Sequence, residues 1–167
     1  MKNRKVIIGI TILAIFIILF GWRYYTINKQ FPPAEVEKYK FNEDIYIDKI
    51  KYTVIKDGIA NVENSDDSKL YYVKVLIENT DNKDVDVIIS DIELRFGNEA
   101  YALSLDYLIK FNNISNVYTM KSGEKISVTI PYDIYKENIP DNNLDNIMDY
   151  VKELTFTKYP KKIVVEL

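Results

Sequence analysis

The groups available for chemistry in this chain are carboxylates, amines, hydroxyls and phenols, because its 167 residues include no histidine and no cysteine. That excludes a Ser-His-Asp triad, a cysteine nucleophile, a His- or Cys-ligated zinc and a disulfide. The five glycines are scattered, so no G-x-G-x-x-G or G-x-x-x-x-G-K phosphate loop exists. What remains is acidic. Asp81, Asp84 and Asp86 share a turn, Glu63, Asp66 and Asp67 share a polar loop, and Asp141 and Asp145 flank a helix start. Loop oxygens suit Ca2+, a hard cation that takes many oxygen ligands. Asp81, Asp84 and Asp86 therefore make residues 79–86 the metal candidate, as a weak Ca2+ site. No cluster has the D-x-[DN]-x-[DN]-G spacing of a calcium loop, however. Turns also gather Asp and Asn simply because their side chains bond the local backbone. A solvated turn is the simpler reading.

Paired carboxylates can serve as acid and base, as in glycosidases, but with 25 acidic residues close pairs arise by chance. With no catalytic motif, the expectation is a protein that is not an enzyme and has no cofactor. Tyr101, Tyr107, Tyr118, Tyr132 and Tyr135 suit either a carbohydrate or peptide surface or half-buried strand packing. The missing histidine has a positive consequence, since no side chain has an ordinary pKa between about pH 5 and 8. Circular dichroism should therefore show no folded-state change between about pH 5.5 and 7.5. A transition there would require a strongly shifted carboxylate.

Two unlike pieces position these groups. The first 23 residues hold Lys2, Arg4, Lys5 and Arg23 and no acid, whereas residues 24–167 hold 18 basic and 25 acidic groups, a net −7. Between the basic groups, Val6 to Trp22 carry no charge. At 1.5 Å per residue they span roughly 25 Å, close to the ~30 Å hydrocarbon thickness of a bilayer. Trp22, Tyr24 and Tyr25 suit the outer interface, and the leading cations hold the N-terminus in the cytoplasm. Gly21-Trp22-Arg23 lacks a small-x-small cleavage pattern. The segment thus reads as an uncleaved signal anchor over residues 6–22, placing the remainder outside the cell membrane. An exported domain at −7 argues against nucleic acid. Residues 24–44 read as a stalk, in which Pro32-Pro33 stops a helix and Glu35 to Lys40 is either an edge strand or linker.

Beyond residue 45 the apolar period is two, the signature of strands. Ile45 and Ile47 precede a parity change at Asp48-Lys49, read as a bulge or a change of sheet. Asp57-Gly58 reads as a turn, and Asn64 to Ser68 as a polar loop. In the clearest strand, Tyr71, Val73, Val75 and Ile77 form one apolar face. Val85, Val87 and Ile89 follow. A second parity change at Ser90-Asp91 leads to Ile92, Leu94 and Phe96, closed by Gly97-Asn98. Residues 100–118 fit a short helix or a strand equally. Ile126, Val128 and Ile130 alternate again, and Leu144, Ile147, Met148 and Val151 fit one helical face capped by Asp141 or Asn142. Leu154 and Phe156 mark a strand, and Ile163, Val165 and Leu167 form the last after Tyr159-Pro160. Seven or eight short strands imply a mainly-β fold, an antiparallel β-sandwich or barrel behind one transmembrane helix.

Three stretches carry a resemblance: Ile50-Lys-Tyr-Thr-Val54, Tyr72-Val-Lys-Val-Leu-Ile-Glu-Asn-Thr80 and Met120-Lys-Ser-Gly-Glu-Lys-Ile-Ser-Val-Thr-Ile-Pro131. With them, residues 45–167 resemble the telokin-like, immunoglobulin-like extracellular domains of Gram-positive lipoproteins and membrane-anchored proteins, related in fold to a mycobacterial immunoprotective antigen. Ser122 stands where that group usually has a proline before the turn glycine, and a membrane helix replaces lipid attachment. The group has no agreed catalytic site. The resemblance implies a binding or structural module of the bacterial cell envelope, partnered by the bilayer and by another envelope or membrane protein. An extracytoplasmic ligand or metal-ion sensor accessory to a transporter is the alternative, and a cell-wall enzyme using paired carboxylates the third.

Overall fold

The computed structural model describes residues 2–30, 34–60, 65–97, 99–139, 141–158 and 161–167, with side chains from Gly9 onward, Lys158 excepted. Pro32-Pro33, Glu63, Asn64, Asn98 and Tyr159-Pro160 lie outside the described residues. Two compact units divide the chain at residue 35.

The first unit is helix α1, Lys2–Gln30. It runs past the residue-22 end expected for the membrane segment. Its Gly9–Gln30 stretch is long and apolar enough to cross a membrane, with mean hydropathy 1.8, and none of it is buried. Ile10, Phe16, Phe20 and Trp22 all stand exposed. A helix apolar on every side has no polar face to offer water, which is the pattern of a membrane span rather than of a surface helix.

The second unit is an antiparallel β-sandwich. Its strands are β1 (Glu35–Lys40), β2 (Asp44–Ile47), β3 (Ile50–Ile59), β4 (Ser68–Asn79), β5 (Val85–Ile88), β6 (Ile92–Phe96), β7 (Glu99–Tyr101), β8 (Val117–Met120), β9 (Lys125–Tyr135), β10 (Lys152–Lys158) and β11 (Lys161–Glu166). Five form one sheet in the order β1-β11-β10-β6-β7, four form another in the order β2-β3-β4-β9, and β5 and β8 make a separate ribbon. Eleven strands among the described residues exceed the seven or eight expected: β1 lies where strand and linker read equally, and β7 and β8, of three and four residues, are too short to show a period. Of the stretch expected as a stalk over 24–44, residues up to Gln30 belong to α1, Glu35–Lys40 form β1, and β2 starts at Asp44.

Alternation dictates the core. Tyr71, Val73, Val75 and Ile77 of β4 are fully buried. Val75 lies opposite Val54 on β3 and Val128 on β9, which keeps one apolar face continuous across three strands. Ile92, Leu94, Phe96, Leu154, Phe156, Ile163 and Val165 supply the facing layer. Each such side chain contributes roughly 1.5–3 kcal/mol on leaving water.

The turns are where local chemistry departs from the expected pattern. Asp48 and Lys49 both have positive φ (46° and 65°), and Ile47 pairs with Ile50, so this is a two-residue hairpin loop rather than a bulge or sheet change. Asp57-Gly58 is not a turn but lies within β3. The irregularity is a bulge between Val54 and Lys56, after which Asp57 opposes Val73 and so faces inward. Gly58 serves close approach instead, since a Cβ there would stand 3.3 Å from the Tyr72 ring. The Ser90-Asp91 parity change is a 3-10 turn, Ile89–Asp91, that carries the chain from the ribbon into the five-stranded sheet. Residues 100–118 contain strand and helix: β7, then α2 (Leu105–Asn112), then β8. Leu144–Asp149 is 3-10, capped by Asn143, whose side chain accepts from the Asp145 amide at 3.1 Å, not by Asp141 or Asn142. Met148 and Val151 are exposed, so only Leu144 and Ile147 of the expected face are buried.

Strand β9 is long and ends its sheet, a liability unless covered. Asn112 of α2 covers it as a strand residue would. Its Nδ2 donates to the Thr129 carbonyl at 2.8 Å, and its Oδ1 accepts from the Thr129 amide at 2.7 Å. Asn112→Ala should cost about 1–2 kcal/mol in denaturant unfolding, because both backbone groups lose their partner while water reaches them in part. An unchanged midpoint would mean that water replaces the amide fully.

Candidate functional site

Asp81, Asp84 and Asp86 lie on and just beyond the β4–β5 connection, but each carboxylate has a partner of its own. Asp81 accepts from the Asn82 amide at 2.7 Å and from Lys49 Nζ at 3.2 Å. Asp84 accepts from Lys121 Nζ at 2.7 Å and the Ser122 amide at 3.2 Å, and Asp86 from the Thr119 hydroxyl at 2.6 Å. The Asn82 amide, then Lys49, hold the Asp81 carboxyl below its ordinary range, and Lys121, then the Ser122 amide, do the same for Asp84. Among the described residues, no group of three or more His, Cys, Asp or Glu is placed to hold a metal ion. Millimolar calcium should leave the Tm unchanged, because an ion would have to displace two ammonium groups; a rise of several degrees would instead assign it to this turn.

What organises the turn is Asn79, which is fully buried. Its Nδ2 donates to the carbonyls of Lys83 (2.8 Å), Met120 (3.2 Å) and Lys121 (3.1 Å), while its Oδ1 accepts from the Asp81 amide at 2.9 Å. Its backbone amide donates to Glu124 O at 2.9 Å, and its carbonyl accepts from Gly123 N at 3.1 Å. Gly123 has φ 74°, a conformation that favours glycine. Asn79 thus ties two of the stretches singled out in the sequence, Tyr72–Thr80 and Met120–Pro131, into one corner.

The other expected sites are dispersed. Asp145 accepts from Lys69 Nζ at 2.6 Å, and Asp141 from Asn146 Nδ2 at 2.8 Å. Tyr132 and Tyr101 are core residues whose hydroxyls donate to Ile92 O (2.9 Å) and Asn138 O (2.5 Å). Tyr118 donates to Glu124 at 2.7 Å, and Tyr107 packs on Phe111 with 5.6 Å between ring centroids. With Tyr101 and Tyr132 in the core, Tyr107 and Tyr118 half-buried and Tyr135 exposed, the five tyrosines do not form one binding face.

A buried charged group was missed. Lys152 is 3% exposed, its Nζ donating to Met148 O at 3.0 Å and lying 5.7 Å from the Tyr71 ring centroid. The Tyr71 hydroxyl donates to the Asp57 carboxylate. Burial pushes the Lys152 amine down and the Tyr71 phenol up, and Asp57 opposes the first and reinforces the second. These groups satisfy one another and hold the interior end of β3. Lys152 was legible in principle, since it shares the parity of Leu154 and Phe156. Asp57 was not, because the bulge reverses its face.

A cleft of about 150 Å3 among the described residues lies between the sheets and the ribbon. Ile50, Tyr52, Val87, Ile92 and Phe156 form its walls, and Asp48, Asp86 and Asp91 also line it. The Tyr52 and Phe156 rings meet at 5.0 Å with a 54° tilt. Tyr52 is pushed up to about 12 by burial, with Asp91 and Asp48 adding to the rise.

Comparison with known proteins supports the architecture. A secreted protein from Mycobacterium tuberculosis, MPT63, superposes with TM-score 0.58 at 12% identity, covering 80% of this chain and 99% of its own. An uncharacterised β-sandwich protein from Clostridium difficile gives 0.50 at 16% identity, covering 80% and 95%. A putative Bacillus subtilis lipoprotein, ycdA, gives 0.52 at 14%, covering 74% of this chain but only 38% of its own. At these identities the likeness is one of fold. No curated protein sequence matches the chain. A family profile described as a domain of unknown function, DUF5028, matches residues 35–163, the whole of the sandwich from β1 into β11, and the chain belongs to that family.

Proposed function

We propose that this chain is a bitopic protein of a Gram-positive-type cell envelope, in which α1 anchors a telokin-like binding module outside the cytoplasmic membrane. The observation that carries this reading is the unburied apolar stretch Gly9–Gln30, which directly precedes a folded acidic domain. Cations before the apolar stretch and an excess of acid after it support an N-terminus inside. A secreted protein and a putative lipoprotein among the structural neighbours fit the same setting. The module contacts another envelope or membrane protein and carries out no catalysis. A photo-crosslinking residue at Ile88 or Val117, which pair across the ribbon and are both exposed, tests this in intact cells. One discrete crosslinked protein supports the module, and a crosslinker that captures only lipid or nothing rejects it.

A second reading is favoured by the cleft. Its mixed lining of apolar walls and a few polar groups is that of a small-molecule site, which suits an extracytoplasmic ligand sensor.

A further inference from the structure

We propose that a polar groove at the Tyr135 end of the four-stranded sheet binds a short stretch of neutral glycan. This surface is separate from the inter-sheet cleft, and the inference stands whether or not α1 lies in a bilayer.

The groove is framed by three chain segments tied to one another. Tyr135, at the end of β9, pairs with Ser68 at the start of β4, and the Lys136 amide donates to the Asp67 carbonyl at 2.9 Å. Lys69 Nζ donates to the Leu144 carbonyl at 3.2 Å and to Asp145 at 2.6 Å, which fixes the 3-10 segment Leu144–Asp149 against β4. Asn143 caps that segment, and Asn142 before it has φ 51°. Between these segments lie two adjoining hollows of about 570 and 470 Å3, both lined by Lys136 and Asn142. Their size falls in the roughly 300–1,000 Å3 range of small-molecule sites.

The frame is bonded, but much of its lining is not. Among the described residues, the side chains of Asp66, Asp67, Lys136, Glu137 and Asn142 make no hydrogen bond or ion pair. Tyr135 is 49% exposed, and its hydroxyl is likewise unengaged. In the acidic turn at 79–86, by contrast, every aspartate has a partner. Hydrated side chains alone require no ligand. What distinguishes this groove is the set of groups on a fixed backbone.

That set decides the ligand class. A single ion meets mixed signs, since Asp66, Asp67 and Glu137 line the groove together with Lys136. A peptide needs seats for apolar side chains, and Leu144, 6% exposed, is the one aliphatic residue in the described lining. A sugar ring presents hydroxyls that each donate and accept, and a face of C–H groups. Carboxylates accept from such hydroxyls, the Lys136 ammonium donates to them, and the Asn142 amide does both. The Tyr135 ring is a surface on which the C–H face can pack, with a hydroxyl at its rim. Asp66, Asp67 and Glu137 outnumber Lys136, which favours a neutral glycan over an acidic or phosphorylated one.

The test is an NMR titration of the full chain in lipid nanodiscs, reading the side-chain amides of Asn142 and Asn143. Cellobiose, maltose and N,N′-diacetylchitobiose are the neutral probes. At least one should give saturable shifts with a Kd of about 0.1–10 mM. Cellobiuronate, an acidic disaccharide of the same size, should bind at least about fivefold more weakly than the best of them. Tyr135→Ala and Asn142→Gly, the second of which still allows positive φ, should each weaken binding at least about fivefold with an unchanged Tm. Tyr46→Ala, at an exposed tyrosine of β2, should leave the affinity as it is. Shifts that persist undiminished in both groove variants overturn the site, and acidic binding as tight as neutral overturns the neutral assignment. No saturable shift with any sugar overturns the proposal, and N-acetyl-trialanine amide moving the same signals in their place would assign the groove to peptides instead.

Discussion

Replacing Asn79 by leucine should destabilise the sandwich by on the order of 4 kcal/mol, lowering the Tm by roughly 10–20 °C. The side chain satisfies three carbonyls and one amide from four separate residues. Leaving a buried backbone group unpaired costs about 1–3 kcal/mol each, and some of these lie near enough to the surface to recover water, which keeps the total below the sum. Asn79→Asp should be no milder, since a carboxylate oxygen would face the three carbonyls that Nδ2 now bridges. The control lies in the same corner. Ser122→Ala removes one exposed bond, the hydroxyl to Asp81 O at 2.8 Å, and should cost under about 1 kcal/mol. A leucine variant within about 1 kcal/mol of the parent would show that the corner is held by its backbone bonds alone.

Alkaline unfolding is the second large effect. Tyr52, Tyr71 and Tyr132 are buried, and burial raises all three phenols, Tyr52 to about 12. A group whose folded pKa lies above its unfolded value contributes stability that is complete below the unfolded pKa and is lost as pH rises toward the folded one. The window here opens at about pH 10, the ordinary phenol value, and runs to about 12 for Tyr52. Two pH units correspond to roughly 3 kcal/mol from Tyr52 alone. Lys152 works in the opposite direction, because its lowered pKa means that deprotonation relieves a burial penalty. It is one group against three. Circular dichroism and tyrosinate absorbance followed together should therefore show one cooperative loss of structure in this window. Tyr52→Phe, which cannot ionise, should move the midpoint to higher pH. Phenols that titrate fully with the strands intact would contradict this linkage.

The long strands were legible because their apolar period is undisturbed. Tyr71 to Ile77 and Ile126 to Ile130 show it in the residues alone, as does the apolar run of α1. Short strands were not legible, because three or four residues of β7 or β8 cannot establish a period and are held by register with longer partners. The misread positions share a physical cause. At Asp48-Lys49 two non-glycine residues adopt positive φ, at Asp57 a bulge reverses the side chain, and at Asn143 a cap sits one residue beyond the candidates. Each is settled by backbone geometry that residue type only biases. The acidic turn was located correctly as a turn, but its organiser was taken for an ordinary turn residue. Asn79 differs from Asn82 only in being the last residue of a buried strand, so tertiary position, not type, makes it central. The cleft depends on β5, β3 and β10 meeting, and no segment of the sequence contains it.

Topology is tested most directly by protease treatment of intact protoplasts carrying the full chain with a tag at each end. The expected result is loss of the C-terminal tag with the N-terminal tag protected and still in the membrane fraction. A C-terminal tag that survives until the protoplasts are lysed would place the sandwich on the cytoplasmic side and contradict an anchored extracytoplasmic module.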